Sequence, residues 1–246
     1  MQRVNDQAAF ILHRRDYQNT SLILDVFTRD FGRVSVMVNS AKKRKDVASF
    51  QIGHRLSISW SGHSELKTLL QVESRMISLA IKSFAAVYYI NELLIYLLAK
   101  GDVYSKIFDA YQLLLVELGQ LIETALDYQY HLEVLLRNFE IELMTELGYM
   151  PSLDRLSQNG DSVLAEQYYS FEVFDGASLC IAEDSVHQSF NGADLIAIQK
   201  RDFTTEKTLR TAKKVMRLII DYHLQGRTLQ SREFYNKLNN HKIKRQ

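Results

Sequence analysis

Hydrophobic and polar residues alternate along the first part of the chain, from Ala8 to Glu73. A period of two residues is typical of β-strands that bury one face and leave the other in solvent. The alternation therefore predicts five half-buried strands, namely Ala8 to Arg14, Ser21 to Thr28, Arg33 to Asn39, Arg55 to Trp60 and Leu66 to Glu73.

Turn-forming residues separate most of these strands. They are Asn19-Thr20, Asp30 through Gly32, and Ser61-Gly62-His63. Five short strands in about 75 residues, with a polar connection after the third, are typical of a small Greek-key barrel of the OB type. An SH3-like barrel is the competing interpretation.

After Ser78 the hydrophobic pattern changes to the period of helices. It predicts helices at about Ala80 to Ala99, Val103 to Ala125 and Tyr128 to Leu147. Gly148 is suited to end the third helix, and Pro151, the only proline, prevents its continuation.

The segment from Ser152 to Ser189 is polar and irregular. Its runs YYSFEVF and ASLCIA are compatible with a small hairpin or with loops. Helical periodicity returns over three further stretches, which are Asn191 to Lys200, Thr205 to Leu224 and Ser231 to Leu238.

The predicted fold is therefore of the α+β class, with two domains. A five-stranded OB-fold barrel occupies residues 1–80, and a mainly α-helical domain occupies residues 81–246. The helical domain includes an irregular insertion at about residues 150–190. A chain of 246 residues is long enough for each domain to bury a core.

The net charge of +1 conceals an uneven distribution. Residues 1–80 carry +5, residues 81–200 carry −12, and residues 201–246 carry +8. Two basic ends around an acidic middle can present a local positive surface to phosphate groups although the total is nearly neutral.

The densest basic cluster is the unbroken run Lys42, Lys43, Arg44 and Lys45, in the connection after the third predicted strand. In an OB barrel this connection lies beside the usual nucleic-acid groove. Further basic residues at strand ends or on polar strand faces extend the candidate DNA-binding surface. These are Arg14, Arg15, Arg33, Arg55 and Lys67.

A second basic stripe is predicted on the helix that starts near Thr205. Its members share one helical face by their spacing, and they are Arg210, Lys213, Lys214 and Arg217. The other face holds the apolar residues Leu209, Ala212, Met216 and Ile219. The basic stripe is equally compatible with a second DNA contact and with pairing to the acidic middle of the same chain.

Motifs of common enzymes are missing from the sequence, which has no phosphate-binding glycine loop, HExxH or Gly-x-Ser-x-Gly. The single cysteine, Cys180, cannot form an internal disulfide or by itself a thiolate metal site. We therefore expect neither catalysis nor a cofactor. No stretch has the pattern of a signal peptide or a membrane span, so the expected location is the cytoplasm.

Three stretches of the chain match a known pattern. The first is AFILHRRDYQNTSLILDVFTRDFGRVSVMV, from Ala9 to Val38. The second combines YYINELLIYLL at Tyr88 with LLRNFEIELMTELGYMP at Leu135. The third is TLRTAKKVMRLIIDYHLQGRTLQSREFYNKL, from Thr208 to Leu238. In this order they resemble the RecO family of bacterial recombination mediators.

The resemblance implies a non-enzymatic protein of DNA repair and recombination in the bacterial cytoplasm, associated with the nucleoid. It implies an N-terminal OB-fold that binds single- and double-stranded DNA, followed by a helical domain. The implied partners are the single-stranded-DNA-binding protein and RecR, and indirectly RecA, which such proteins help to load. The family also anneals complementary strands.

The sequence departs from the family pattern at three places. Many members have a four-cysteine zinc site after the Leu-Gly-Tyr element, where this chain has only Cys180, so no zinc is expected. Asp16 stands where members often have proline, and Gln225 stands where a glycine often precedes Gly226. The latter two differences affect local turns.

Arg137 matches an arginine of the family's helical core. The resemblance implies that it lies beside a groove for the acidic, apolar C-terminal tail of the single-stranded-DNA-binding protein, and that it pairs with the tail carboxylate. An ion pair with Glu133 or Glu140 is the alternative.

Two other functions remain open from the residues alone. One is a protein-only adaptor, which predicts little DNA affinity. The other is an unrecognised nuclease or other DNA enzyme, which requires carboxylates that converge around a divalent metal.

Overall fold

The structure is a computed structural model, and it describes residues 3–156, 160–172, 178–181 and 189–232. The first part is a closed five-stranded barrel in the order β1-β2-β3-β5-β4. Its strands are β1 (Arg3–Tyr17), β2 (Ser21–Thr28), β3 (Gly32–Val38), β4 (His54–Ser61) and β5 (Leu66–Met76).

The barrel closes through a parallel pairing of β3 with β5, whereas its other pairings are antiparallel. This is the Greek-key arrangement of the OB fold, and the prediction of an OB barrel followed by helices is confirmed. The interior is filled by alternate residues of the strands, including Val26, Val36 and Ile58, together with Phe50 from the connection between β3 and β4.

β2 is buried on both faces rather than half-buried as its alternation predicted. Its inward residues fill the barrel, while Phe27 points outward and packs against Phe108, with ring centroids 5.4 Å apart. Phe10 of β1 packs outward in the same way, 5.3 Å from Phe108 and 5.2 Å from Tyr111. The prediction was wrong here because helices supply a second apolar layer outside the barrel.

Within the described residues five complete helices follow the barrel, and their existence was predicted from the sequence. They are α1 (Ile81–Leu97), α2 (Ser105–Gln120), α3 (Tyr128–Glu146), α4 (Gly192–Gln199) and α5 (Glu206–His223). Gly148 follows α3 with a φ of 73°, a left-handed conformation that glycine adopts readily. α2 ends five residues earlier than predicted, at Gln120 rather than Ala125.

α1 and α2 pack on the barrel and belong to the same compact unit, which comprises residues 1–123 and 229–246. Asn91 of α1 donates to the backbone oxygens of Ile11 (3.3 Å) and Leu12 (3.0 Å) in β1, and it accepts from the Tyr111 hydroxyl of α2 at 2.5 Å. The change from strands to helices falls at residue 80 as predicted, but the compact unit continues past it. The division into two domains at residue 80 stays a prediction.

The second compact unit comprises residues 124–228. It contains α3, α4, α5 and a three-stranded sheet in the order β7-β6-β8, formed by β6 (Tyr168–Glu172), β7 (Ser178–Ile181) and β8 (Ser189–Asn191). The antiparallel pairing of β6 with β7 selects the hairpin among the alternatives for this region. The final predicted helix begins at Gln230, and its part beyond Arg232 lies outside the described residues.

Candidate nucleic-acid interface

The connection between β3 and β4 covers one end of the barrel. It contains two short 3₁₀ turns, Ala41–Lys43 and Val47–Ser49. The backbone N–H of Lys42 donates to the oxygen of Thr20 at 2.9 Å, so the connection lies beside the turn between β1 and β2. The Ser49 and Ser74 hydroxyls are 2.6 Å apart, which places the end of β5 at the same end of the barrel.

Lys42 and Arg44 are held by neighbouring carboxylates. Lys42 Nζ lies 2.8 Å from Asp16 Oδ2, and Arg44 donates to both oxygens of Asp46 at 2.8 and 2.7 Å. The guanidinium of Arg44 also lies 5.6 Å from the centre of the Phe50 ring. These contacts fix the backbone of the connection and leave Lys43 and Lys45 exposed to solvent.

The two carboxylates remain ionised in this arrangement. The hydrogen bond and charge of Lys42 lower the pKa of Asp16 below its ordinary value, and the hydrogen bond of Arg44 likewise lowers the pKa of Asp46. Asp16, which departs from the family pattern, therefore has a local role as the partner of Lys42. The surplus positive charge of the connection rests mainly on Lys43 and Lys45.

Three arginines from strands extend this positive surface. Arg14 is exposed and donates to the Phe50 oxygen at 3.1 Å. Arg55 of β4 lies directly opposite Arg75 of β5, and both side chains are exposed. Like charges placed opposite each other across a sheet are destabilising, which an anion bound between them would relieve.

Arg75 is missing from the predicted site because the alternation indicates β5 only as far as Glu73. The strand continues to Met76 and pairs with the start of β4. The arginine after Glu73 is visible in the sequence, but its neighbour Arg55 becomes apparent only when the barrel closes. We call the resulting surface the basic rim, and its members are Arg14, Lys42, Lys43, Arg44, Lys45, Arg55 and Arg75.

Arg33 does not belong to the basic rim, and its prediction as a surface residue was wrong. It is only 6% exposed. Its guanidinium pairs with Asp25 at 2.8 Å and donates to the oxygens of Ile95 and Leu98, the latter at 2.8 Å. Arg33 therefore caps the C-terminal end of α1 and holds it on the barrel.

The same chain segment covers the outer face of β2 and β3. The Gly101 N–H donates to the Arg33 oxygen at 3.0 Å, and Lys100 Nζ donates to the Ser35 hydroxyl at 3.0 Å. OB folds commonly bind nucleic acids on this face. Here the face is occupied by residues 95–102, which leaves the barrel end as the better candidate.

Lys67 and Arg15 also lie apart from the basic rim. Lys67 stands at the start of β5, at the opposite end of the barrel, and is half-buried with its Nζ 3.3 Å from the Gly62 oxygen. Arg15 is exposed but lies opposite Ile23, whereas Arg14 lies opposite Leu24. Successive residues of a strand point to opposite faces, so Arg15 does not share the contact of Arg14 with the Phe50 oxygen.

The basic stripe of α5 is exposed, and the predicted apolar stripe of the same helix is buried. Three members of the basic stripe contact acidic residues. Arg210 lies 3.3 Å from Glu206, Arg217 lies 3.5 Å from Asp221, and Lys213 lies 3.0 Å from Glu133 of α3. These contacts favour pairing within the protein over a second DNA contact.

Arg137 is buried and forms an ion pair with Glu140, one turn further along α3. Their exposed fractions are 5% and 1%. This is the alternative contact that the sequence allowed, although it lies in the interior rather than on the surface. A tail carboxylate would have to displace Glu140 to reach the guanidinium.

Over the described residues, no group of three or more His, Cys, Asp or Glu side chains is arranged to hold a metal ion. Within the same residues no helix is long and apolar enough to cross a membrane.

Two family models match the chain almost from end to end. The model for the N-terminal part of recombination protein O matches residues 1–77, and the model for its C-terminal part matches residues 79–233. The chain belongs to the RecO family. The boundary between the two models coincides with the change from strands to helices.

Full-length relatives in other bacteria agree with this membership, and each carries the name DNA repair protein RecO. The protein of Polynucleobacter necessarius is 37% identical, with 94% of this chain and 95% of the relative covered. The protein of Marinobacter nauticus is 35% identical with 96% of each covered. That of Aliivibrio fischeri is 34% identical, with 93% and 94% covered.

Membership in the RecO family makes this chain a DNA repair protein. The family consists of recombination mediators rather than enzymes, so the prediction of a non-catalytic role is confirmed by the family and not by the absence of a motif.

Proposed function

We propose that this RecO-family chain binds single- and double-stranded DNA through the basic rim. The observation that carries the proposal is the convergence of cationic side chains from β1, β4, β5 and the connection between β3 and β4 at one barrel end. Binding to the phosphate backbone requires several cations on one surface rather than a single geometry, and each contact releases counterions.

Different members of the basic rim serve different purposes in this proposal. Lys43 and Lys45 extend into solvent, where flexible ammonium groups can follow a phosphate backbone. Arg55 and Arg75 are direct neighbours across β4 and β5, and a bound phosphate would relieve the repulsion between their charges. Lys42 and Arg44, held by Asp16 and Asp46, shape the connection that presents the other two.

We further propose the mediator activity that the resemblance implied. The chain would act with the single-stranded-DNA-binding protein and RecR, help RecA to load onto coated single strands, and anneal complementary strands. Neither loading nor annealing requires covalent chemistry, and a cationic surface favours annealing because it reduces the repulsion between two phosphate backbones. The expected location is the bacterial cytoplasm, in association with the nucleoid.

No single residue is assigned to the tail of the single-stranded-DNA-binding protein. Arg137 was the candidate, but its guanidinium is engaged with Glu140. The α5 stripe is left outside the proposed DNA interface because three of its members, Arg210, Lys213 and Arg217, each contact a carboxylate.

The direct test of DNA binding is the fluorescence anisotropy of a labelled single-stranded oligonucleotide and of its duplex, titrated with the whole chain at about 50 and 200 mM salt. Several phosphate contacts predict an affinity that falls by about two orders of magnitude or more between these conditions. Absence of binding to either DNA at the lower salt would contradict the proposal and favour a protein-only adaptor.

The mediator activity needs a second measurement. Complementary oligonucleotides coated with single-stranded-DNA-binding protein should anneal faster when this chain is added, as followed by the quenching of paired fluorophores. Unchanged annealing with tight DNA binding would limit the function to DNA binding.

A further inference from the structure

An exposed apolar strip runs from the end of β5 onto α1. We define it by four residues with exposed fractions of 71% for Met76, 83% for Ile81, 36% for Phe84 and 54% for Tyr88. Side chains of this size are usually withdrawn from water, and several of them exposed along neighbouring elements indicate an interaction site.

Helical spacing places the α1 members of the apolar strip on one face. Ile81, Phe84 and Tyr88 are separated by three and four residues, which aligns them along the helix. The opposite face carries Val87 and Ile90, which are wholly buried. The residues of the apolar strip therefore do not belong to the hydrophobic core of their compact unit.

The apolar strip adjoins the basic rim. Arg75 and Met76 both lie at the end of β5, although their side chains leave opposite faces of the strand. Gly53, in the connection that carries Lys42 to Lys45, lies so close to α1 that a Cβ atom there would be 3.5 Å from the Phe84 ring. The Gly53 oxygen also accepts from the Ile77 N–H at 2.9 Å. Phe84 is thus next to the connection, and Tyr88 lies about 6 Å further along the helix axis.

We propose that the aromatic side chains of the apolar strip, Tyr88 and Phe84, stack on unpaired bases of single-stranded DNA whose phosphates lie on the basic rim. This inference rests on the proposed function and extends it to strand preference. The flanking cations select the occupant, because an anionic backbone beside exposed rings matches single-stranded DNA, in which phosphates and base faces are both accessible. In a duplex the base faces are stacked on each other and cannot reach the rings.

Tyr88 is the residue to change, since it is more exposed than Phe84 and makes a smaller contribution to packing. Tyr88→Leu removes the ring and keeps an apolar side chain, whereas Tyr88→Phe keeps the ring. Tyr168→Leu in β6 is the matched control, because Tyr168 is 55% exposed. Each protein is titrated against a single-stranded oligonucleotide, a duplex of equal length and a single strand of equal length made of abasic nucleotides.

The proposal predicts that Tyr88→Leu weakens binding of the single strand on the order of tenfold, whereas Tyr88→Phe and Tyr168→Leu bind it like the original chain. Duplex and abasic DNA should bind all four proteins equally, because only phosphates are then recognised.

Equal single-strand affinity for Tyr88→Leu and the original chain, with DNA binding otherwise intact, would overturn the stacking proposal and leave the apolar strip to a protein partner. An equal loss on abasic DNA would also overturn it, since no base is present to stack. Failure of the original chain to bind any of the three DNAs would instead contradict the proposed function itself.

Discussion

Arg55 and Arg75 face each other across β4 and β5 on the outer surface of the barrel. A directly opposed pair of like charges lowers the stability of a sheet, and its presence at a surface is easiest to understand if the surface receives an anion. At the scale of single residues, the proposed DNA interface therefore includes a pair of like charges that lowers the stability of the barrel.

Replacing one arginine of this pair should change both the stability of the barrel and its affinity for DNA. Arg75→Gln is expected to raise the free energy of unfolding by about 0.2 to 1 kcal/mol at low salt, because the repulsion is removed, and to weaken DNA binding. Urea denaturation and anisotropy measure the two effects. Arg15→Gln, which removes an exposed arginine opposite Ile23, should show no gain in stability. A loss of stability in Arg75→Gln would contradict this account.

The pair of Arg137 and Glu140 illustrates the opposite case, a charge that is held in the interior. Arg137→Met should lower the free energy of unfolding by about 3 to 5 kcal/mol, because it removes one partner of a buried ion pair. The double variant Arg137→Met and Glu140→Leu should recover most of that loss in urea denaturation.

An exposed ion pair provides the comparison for Arg137. Lys213→Met breaks the contact with Glu133, and it should cost less than about 1 kcal/mol because the Lys213 side chain is largely in solvent. If Arg137→Met were as mild as Lys213→Met, the guanidinium would be accessible, and its role toward an acidic tail would have to be reconsidered.

At the scale of elements, the segment that follows α1 determines which face of the barrel is open. Gly32 begins β3 with a φ of 61°, and a Cβ atom there would lie 1.8 Å from the backbone oxygen of Asp102. This close approach, together with the contacts of Arg33 and Lys100, keeps the segment over β2 and β3.

Alanine substitutions at two glycines distinguish two effects on stability. One is the close approach of Asp102 to β3, and the other is the strain of a left-handed backbone conformation. Gly101 has a φ of 80°, and a Cβ atom added there would meet nothing within 4 Å, so Gly101→Ala should cost only the strain, about 1 kcal/mol. Gly32→Ala should be less stable than Gly101→Ala by about a further 1 to 3 kcal/mol, because Asp102 must also move. Equal thermal stability of the two variants would show that the segment is not packed closely on β3.

The hydrophobic pattern predicted most strands and helices, but it did not predict which strand faces are covered by helices and loops. Apolar and polar residues alternate in the same way in β3 and in β4, yet Arg33 in β3 is buried and Arg55 in β4 is exposed. The difference arises because the C-terminal end of α1 packs on Arg33 and does not pack on Arg55. Long-range placements of this sort leave no local signal, whereas Lys42 to Lys45 are neighbours in sequence and were recognisable as a cluster.

At the scale of the whole molecule, the two positively charged ends of the chain differ in where their basic residues lie and in how far acidic residues neutralise them. The positive surplus of residues 1–80 is gathered largely in the basic rim, while part of the surplus of residues 201–246 is compensated by acidic residues such as Glu133 and Asp221. The sequence left the basic stripe of α5 open to a second DNA contact or to pairing within the chain, and the ion pairs of α5 favour the pairing.

DNA binding at the barrel end formed by the basic rim can be tested with two double variants. The quantity to measure is the salt dependence of their affinity for single-stranded DNA. Lys43→Ala with Lys45→Ala removes two exposed ammonium groups from the rim. Lys67→Ala with Arg3→Ala removes two positive charges from the opposite end, where Arg3 lies opposite Ser61 and Lys67 is at the start of β5. Both variants change the net charge equally.

If DNA binds at the basic rim, the rim variant loses about 1.4 from the slope of log affinity against log salt, since each lost phosphate contact removes about 0.7 on a single strand. The opposite-end variant then keeps the original slope. Equal slopes in both variants, or a loss confined to the opposite end, would contradict binding at the basic rim.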